Sequence, residues 1–173
     1  VVVGRFVGKE ALAAVGASGN IINALISFFT GLGTGSGVVI SQYFGAHNDQ
    51  GVRDTVHTTV VATLILAVAC TILGVTATGT ILKWMDTPYD VEPAAAAYLR
   101  IYFAGVAGLM FYNIGSGILR AVGDSTRPLY FLIFSALLNL GLDLLFVCVF
   151  RMGIAGAAWA TIIAQAISAV LTF

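Results

Sequence analysis

LYFLIFSALLNLGLDLLFVCVF, residues 129–150, is an apolar run broken by Ser135, Asn139 and Asp143. It is long enough to cross a bilayer as a helix, which takes about 20 residues. Every other Asp, Glu, Lys and Arg falls in or near a candidate loop or helix end. A carboxylate in the middle of a spanning segment costs roughly 2.5–3.5 kcal/mol on insertion scales. A bound cation, a proton or a wet cavity has to offset that cost, which marks Asp143 as a functional candidate.

The rest of the chain has the same character. Of its 173 residues, 59% are hydrophobic and 9% charged, against roughly 25% charged in soluble domains. Mean hydropathy is +0.98. So few charges cannot cover a soluble surface, so the solvent must be largely lipid. Apolar runs predict five spanning helices, at about 12–44, 52–82, 91–122, 128–150 and 154–173. Pro93 suits a first helical turn, and Ser125 or Thr126 suits an N-cap. Lipid does not tolerate open sheet edges, and period-2 alternation is absent, so helices are expected over a barrel. The expected class is all-α: a polytopic membrane bundle with short polar connections and antiparallel neighbours. The whole chain, 1–173, reads as a single partial transmembrane lobe. Its start lacks a Met and the pattern of a signal peptide. Its last residue, Phe173, falls inside an apolar run. Both ends therefore read as cut from a longer membrane protein.

Several functional classes are disfavoured. Formal net charge is zero and the eight basic residues are scattered, which argues against a nucleic-acid partner. Cys70 and Cys148 lie in apolar runs and read as small buried hydrophobes rather than a disulfide or metal pair. Ser36 and Ser116 have no His or Lys at matching depth to activate them. No catalytic residue is expected, so the chain is not read as an enzyme. Arg53 and His57, four apart at a helix start, read as a solvated helix end.

The last hairpin supplies the candidate chemistry. With Arg151-Met152-Gly153 as the turn, residues equidistant from Met152 share a depth. Asp143 is then level with Thr161, and Asn139 with Gln165. Asn139 and Asp143 are one helical turn apart and share a face. This all-oxygen set with one carboxylate suits Na⁺ or a proton and does not suit zinc. A plain hydrogen-bonded helix pair is the competing reading, contributing about 0.6 kcal/mol on average. Asn would make such a contact at lower cost than Asp, which favours a cation or proton site. Desolvation favours the neutral carboxyl and a neighbouring cation favours the carboxylate. A buried acid in a cavity that is wet by turns can therefore exchange a proton for a cationic ligand.

Glycine is the second signal. Gly31, Gly33, Gly35 and Gly37 crowd one helix, and Gly115 and Gly117 sit late in another. In membranes such residues let backbones approach closely or let a helix bend. Tyr102, Phe103, Phe111, Tyr112 and Asn113 cluster in the third predicted helix. They could line a cavity for a cationic aromatic compound by stacking and cation–π contact. Tyr112, Asn113 and Gln165 are the substrate-cavity candidates.

Three stretches together carry a resemblance: GRFVGKEALAA at 4–14, GTGSG at 33–37 with QYFGA at 42–46, and RAVGDSTRP at 120–128. In combination they resemble the multidrug and toxic compound extrusion (MATE) family. That resemblance implies helices two to six of the N-terminal lobe of a twelve-helix transporter, which exchanges Na⁺ or H⁺ for organic cations. It implies Asn139, Asp143 and Thr161 as cation ligands, metal ligands if the ion is Na⁺, completed by an Asp on a helix upstream of Val1. It assigns no cofactor beyond the coupling ion and no role to Gln165. It implies a multi-pass protein of the bacterial inner or plasma membrane whose function needs the first helix and the second lobe. A lipid-linked saccharide flippase of the same superfamily and a non-transporting remnant are the alternatives. The resemblance also puts the loops at 47–50 and 124–127 on the cytoplasmic side. A count of basic residues points the other way by two: Arg5, Lys9, Lys83, Arg100 and Arg151 against Arg53, Arg120 and Arg127.

Overall fold

The computed structural model describes residues 9–173, with side chains from Leu12 onward, so Arg5 and the stretch at 4–8 lie outside the described residues. Six α-helices follow one another: α1 (Lys9–Gly45), α2 (Asp49–Trp84), α3 (Glu92–Ala104), α4 (Val106–Ala121), α5 (Thr126–Asp143) and α6 (Gly153–Thr172). A π-helical segment, Leu144–Val149, continues α5. No strand occurs among the described residues. At about 1.5 Å rise per residue, α1 and α2 are each far longer than the ~30 Å hydrocarbon layer. Helices α1, α2, α5 with its π segment, and α6 are each long and apolar enough to cross a membrane, and α3 with α4 makes the fifth span.

Two of the predicted helices are not continuous. The run at 91–122 bends by 49° between α3 and α4, at Gly105. The Gly105 N–H is shared between the carbonyls of Ile101 (3.1 Å) and Tyr102 (3.2 Å), and its own carbonyl accepts from the Gly108 N–H at 3.2 Å. The ladder thus tightens to i→i+3 around a residue whose missing Cβ is replaced by the Ile162 side chain of α6. Packing against α6 drives this bend, and no proline is involved. In the predicted helix at 128–150, the ladder widens after Asp143. The Phe150 N–H donates to the Leu145 carbonyl at 3.0 Å, five residues back. Arg100 is exposed about one turn before the C-terminal end of α3.

Helix α4 is the centre of the packing. Towards α1, a Cβ on Gly117 would lie 2.5 Å from the Gly33 carbonyl oxygen, and one on Gly33 would lie 2.8 Å from that of Asn113. Towards α6, a Cβ on Gly108 would lie 2.8 Å from the backbone nitrogen of Ala166. These helices touch backbone to backbone, which only small residues allow. Around them, Phe29, Ala67, Tyr98, Tyr102, Val106 and Met110 form one buried cluster. Leu82, Val91, Leu99 and Phe103 form much of a second. The outward faces of α2 (Leu64, Ile65, Ile72) and α5 (Leu132, Leu137, Leu140) are exposed and aliphatic, as lipid contact requires.

The turns at 46–48 and 122–125 lie at the same end of the bundle, because Gly37 and Ala121 meet there. Both use the same device. A residue with positive φ (His47, 54°; Gly123, 91°) precedes an Asn or Asp. Asn48 Oδ1 accepts from the Gly51 N–H at 2.9 Å. Asp124 Oδ1 accepts from the N–H groups of Thr126 (3.2 Å) and Arg127 (3.1 Å), and its Oδ2 pairs with Arg127 Nε at 3.1 Å. Ser125 holds the expected N-cap position, but its side chain makes no cap bond. The longer reach of Asp124 satisfies those donors instead.

The glycine contacts predict a contrast between two alanine substitutions. Gly117→Ala forces α1 and α4 apart and lowers the melting temperature of the purified protein. Gly141→Ala, where a Cβ meets nothing within 4 Å, leaves it unchanged or raises it, since Ala is favoured over Gly in helices by up to about 1 kcal/mol. Equal effects of the two would refute the close-approach account.

Candidate cation site

The hairpin of α5 and α6 is held by three side-chain contacts. Ser168 Oγ donates to the Phe131 carbonyl (3.4 Å), Ser135 Oγ to the Ala164 carbonyl (3.2 Å), and Asn139 Nδ2 to Thr161 Oγ1 (3.4 Å). These contacts correct the depth matching drawn from a turn centred on Met152. Asn139, not Asp143, is level with Thr161, and Gln165 lies about one turn beyond. The pivot sits nearer Phe150, because the π-helical segment takes up residues in a wider turn with less rise. Asp143 is therefore one helical turn closer to the Arg151 turn than its partners. The two-helix patch still forms, but as a staggered set.

Thr161 Oγ1 also donates to the Ala157 carbonyl at 2.9 Å, which leaves its lone pairs directed at Asn139. Asn139 keeps its own Oδ1 available. Asp143 Oδ1 is buried with no hydrogen-bond partner among the described residues. A buried, unsatisfied carboxylate oxygen is costly, and it is the observation that fits a site for a cation or a proton. A fourth member comes from α3. Tyr98 belongs to the buried cluster that holds Val147, Ala157 and Ala158 of the hairpin, so it packs within about one turn of Thr161 on α6. Tyr98 is buried, and its ring stacks on Tyr102 at 6.3 Å and 25°. Sequence reasoning missed it. The available signal was weak: two tyrosines four residues apart on a helix that must face the hairpin. The oxygen ligands on hand are an amide oxygen, a hydroxyl and a carboxylate. That chemistry suits a hard monovalent cation or a proton. Among the described residues no three His, Cys, Asp or Glu side chains gather.

The other candidates are scattered. Gln165 Oε1 is buried without a partner among the described residues, and its backbone packs beside Gly108 of α4. Asn113 Nδ2 donates to the Leu109 carbonyl at 2.8 Å, and its Oδ1 accepts from Thr30 Oγ1 at 3.1 Å, so it links α4 to α1. The Tyr112 hydroxyl donates to the Pro128 carbonyl at 3.2 Å, tying α4 to the start of α5. Tyr102 and Phe103 belong to the buried clusters rather than a cavity wall, with the Phe103 ring seated on Gly74. Phe111 stands edge-on to Phe173 at 5.9 Å. Arg53 and His57 are exposed in the first turns of α2. Cys70 and Cys148 are free and half-buried.

Proteins of known family resemble this chain. The family model MatE matches residues 1–145. A Bacillus subtilis protein named "Probable multidrug resistance protein YpnP" is 37% identical over 166 residues, covering 96% of this chain and 37% of its own length. "Probable multidrug resistance protein YoeA" of the same organism is 38% identical, over 93% of this chain and 36% of its own length. Among solved structures, an inward-facing conformation of a multidrug resistance MATE family transporter of the MOP superfamily superposes with a TM-score of 0.94 at 29% identity, over 99% of this chain and 39% of that one. A structure described as the outward-facing conformation superposes at 0.91 and 30% identity, over 99% and 39%. The chain spans somewhat over a third of the length of the relatives it matches. With its all-helical membrane fold, it belongs to the MATE family of multi-pass membrane transporters.

Proposed function

We propose that this chain is part of a cation-coupled antiporter of the bacterial cell membrane that exports organic cations or drugs. The supporting observation is the buried, unpartnered Asp143 Oδ1, one helical turn from Asn139 and its contact with Thr161. Asp143 is the group that changes charge. Asn139 and Thr161 are neutral oxygen ligands for Na⁺, or hydrogen-bond partners of the carboxyl when the coupling ion is H⁺. With a cation bound, the carboxylate is neutralised in place. With the cation gone, the same site must take a proton, a second cation or water to avoid a bare buried charge. Exchange of these occupants, linked to rocking of two lobes, is the coupling step. On this reading the activity needs a preceding helix and a second lobe, consistent with the length of the relatives. A flippase for lipid-linked sugars is less well supported. It would have to hold a pyrophosphate, and the clustered polar set contains a carboxylate and no basic side chain.

Two outcomes test the reading in the full-length protein. Asp143→Asn abolishes ion-driven efflux of an organic cation from vesicles, while membrane levels and melting temperature hold or rise because a costly buried charge is gone. Undiminished ion-driven efflux by that variant would overturn the assignment. Thr161→Val, which keeps the shape and removes the hydroxyl, raises the ion concentration needed for half-maximal efflux at least about tenfold, the lower end of one lost hydrogen bond to a charged partner at 1.5–3 kcal/mol. Thr161→Ser stays near wild type, and if both variants behaved alike the hydroxyl would not be a ligand.

A further inference from the structure

The turn between α2 and α3, residues 85–91, carries a polar feature that neither the cation site nor the glycine packing uses. No Asp, Glu, Lys, Arg or His interrupts α2 from Thr58 to Leu82. Those 25 residues rise about 37 Å, enough to cross a hydrocarbon layer of about 30 Å with some tilt. Lys83 is the next residue, so the turn lies at the membrane surface, at the opposite end of α2 from the turn at 46–48. Trp84 and Tyr89 stand there 84% and 90% exposed, more than any aliphatic side chain on the outward faces of α2 and α5. Aromatic rings with a polar edge favour the headgroup level of a bilayer over water or acyl chains.

The turn is closed by its own backbone. The Thr87 N–H donates to the Leu82 carbonyl at 3.2 Å and the Asp86 N–H to the Lys83 carbonyl at 3.1 Å, the paired closure of a helix end. Beyond it, the N–H groups of Val91 (2.9 Å) and Glu92 (3.0 Å) both donate to the Pro88 carbonyl. This closure needs one left-handed residue, and Asp86 takes that place at φ 53° where glycine is usual. The turn borders a cleft of ≈ 530 Å³ lined by Lys83, Asp86, Thr87, Pro88, Tyr89 and Glu92. One ammonium and two carboxylates thus share the cleft, and among the described residues they form no ion pair. Thr87 Oγ1 is buried without a partner among the described residues. Opposite charges that share a cleft without pairing are both available to a ligand that carries both signs.

We propose that this cleft seats the headgroup of a membrane phospholipid bearing a primary ammonium. Lys83 holds the phosphate, and Asp86 and Glu92 accept N–H bonds from the ammonium, all of them charge-assisted. Charge selects the class of lipid. With two negative side chains to one positive, the cleft repels a headgroup that has a phosphate and no cation. A quaternary ammonium has no N–H to give the carboxylates. The rings of Trp84 and Tyr89 pack at the level of the headgroup and its ester links. Farther along α2, the exposed Ile72 and Leu73 meet the acyl chains. The site is independent of Asp143 and of what the transporter carries.

The test is native mass spectrometry of the full-length protein in detergent micelles, titrated with dioleoyl phosphatidylethanolamine, phosphatidylcholine or phosphatidylglycerol. The wild-type protein binds the ethanolamine lipid at least about fivefold more tightly than either of the others. The double variant Asp86→Asn, Glu92→Gln binds it no more tightly than the choline lipid, and Lys83→Met weakens it as well. Asn tolerates the left-handed backbone at position 86, and these side chains are free of ion pairs, so melting temperatures in lipid-free micelles stay near wild type. Equal binding of the ethanolamine and choline lipids by the wild-type protein would overturn the proposal, and that comparison needs no variant. A preference for ethanolamine that survives in the double variant would overturn it too, by moving the preference away from this cleft.

Discussion

Backbone contact at helix α4 is the constraint on which the rest of the lobe depends. In lipid there is no hydrophobic force between helices, so they are held by close packing and hydrogen bonds. Gly117 meets Gly33 of α1 on one side of α4, and Gly105 and Gly108 meet Ile162 and Ala166 of α6 on another. Neither contact admits a Cβ. Because α4 touches both neighbours at this range, the bend at Gly105 is fixed by tertiary contact, and α3 is swung to bring Tyr98 against the α5–α6 hairpin.

That arrangement explains where polarity can be kept inside an apolar bundle. The chain spends its polar side chains at two places. One is the staggered set of Tyr98, Asn139, Asp143 and Thr161, where a carboxylate oxygen is left unsatisfied. The other is α1, where Asn20, Asn23, Ser27, Thr30 and Thr34 form an exposed row. Elsewhere at membrane depth several hydroxyls are neutralised by their own helix, whereas Gln165 Oε1 and Ser116 Oγ are buried without a partner among the described residues. Thr55, Thr59 and Thr63 each return their hydroxyl to the carbonyl four residues earlier at 2.7 Å. The difference is chemical. A hydroxyl can be satisfied by its own helix, whereas a carboxylate or a primary amide needs a partner from outside it. The π-helical segment beginning directly after Asp143 belongs to the same economy, since wide turns of this kind recur at functional sites.

Much of this was legible in the residues alone. Five apolar runs separated by short polar turns read as five spans, because hydrocarbon leaves the backbone no alternative to a closed hydrogen-bond ladder. Asp143 stood out because only a costly residue needs an explanation. Asn139 followed from its position one turn away. The pairing across the hairpin was off by about a turn, because the count from Met152 assumed a regular α-helix and could not see the widened ladder at 144–149. Tyr102 and Phe103 read equally well as cavity wall or core, since composition does not say which face of a helix meets its neighbours. They are core.

The sequence by itself determined which segments are helical and membrane-embedded, and that one acid among them is out of place. These are properties of transfer from water to lipid, and they accumulate residue by residue. Only the tertiary structure decided what surrounds that acid. The register of α6 against α5, the arrival of Tyr98 and the exposure of the α1 stripe all depend on distances between helices. Those distances are set by the few glycines at which two backbones touch, and the energy of such a contact belongs to the pair and not to either segment.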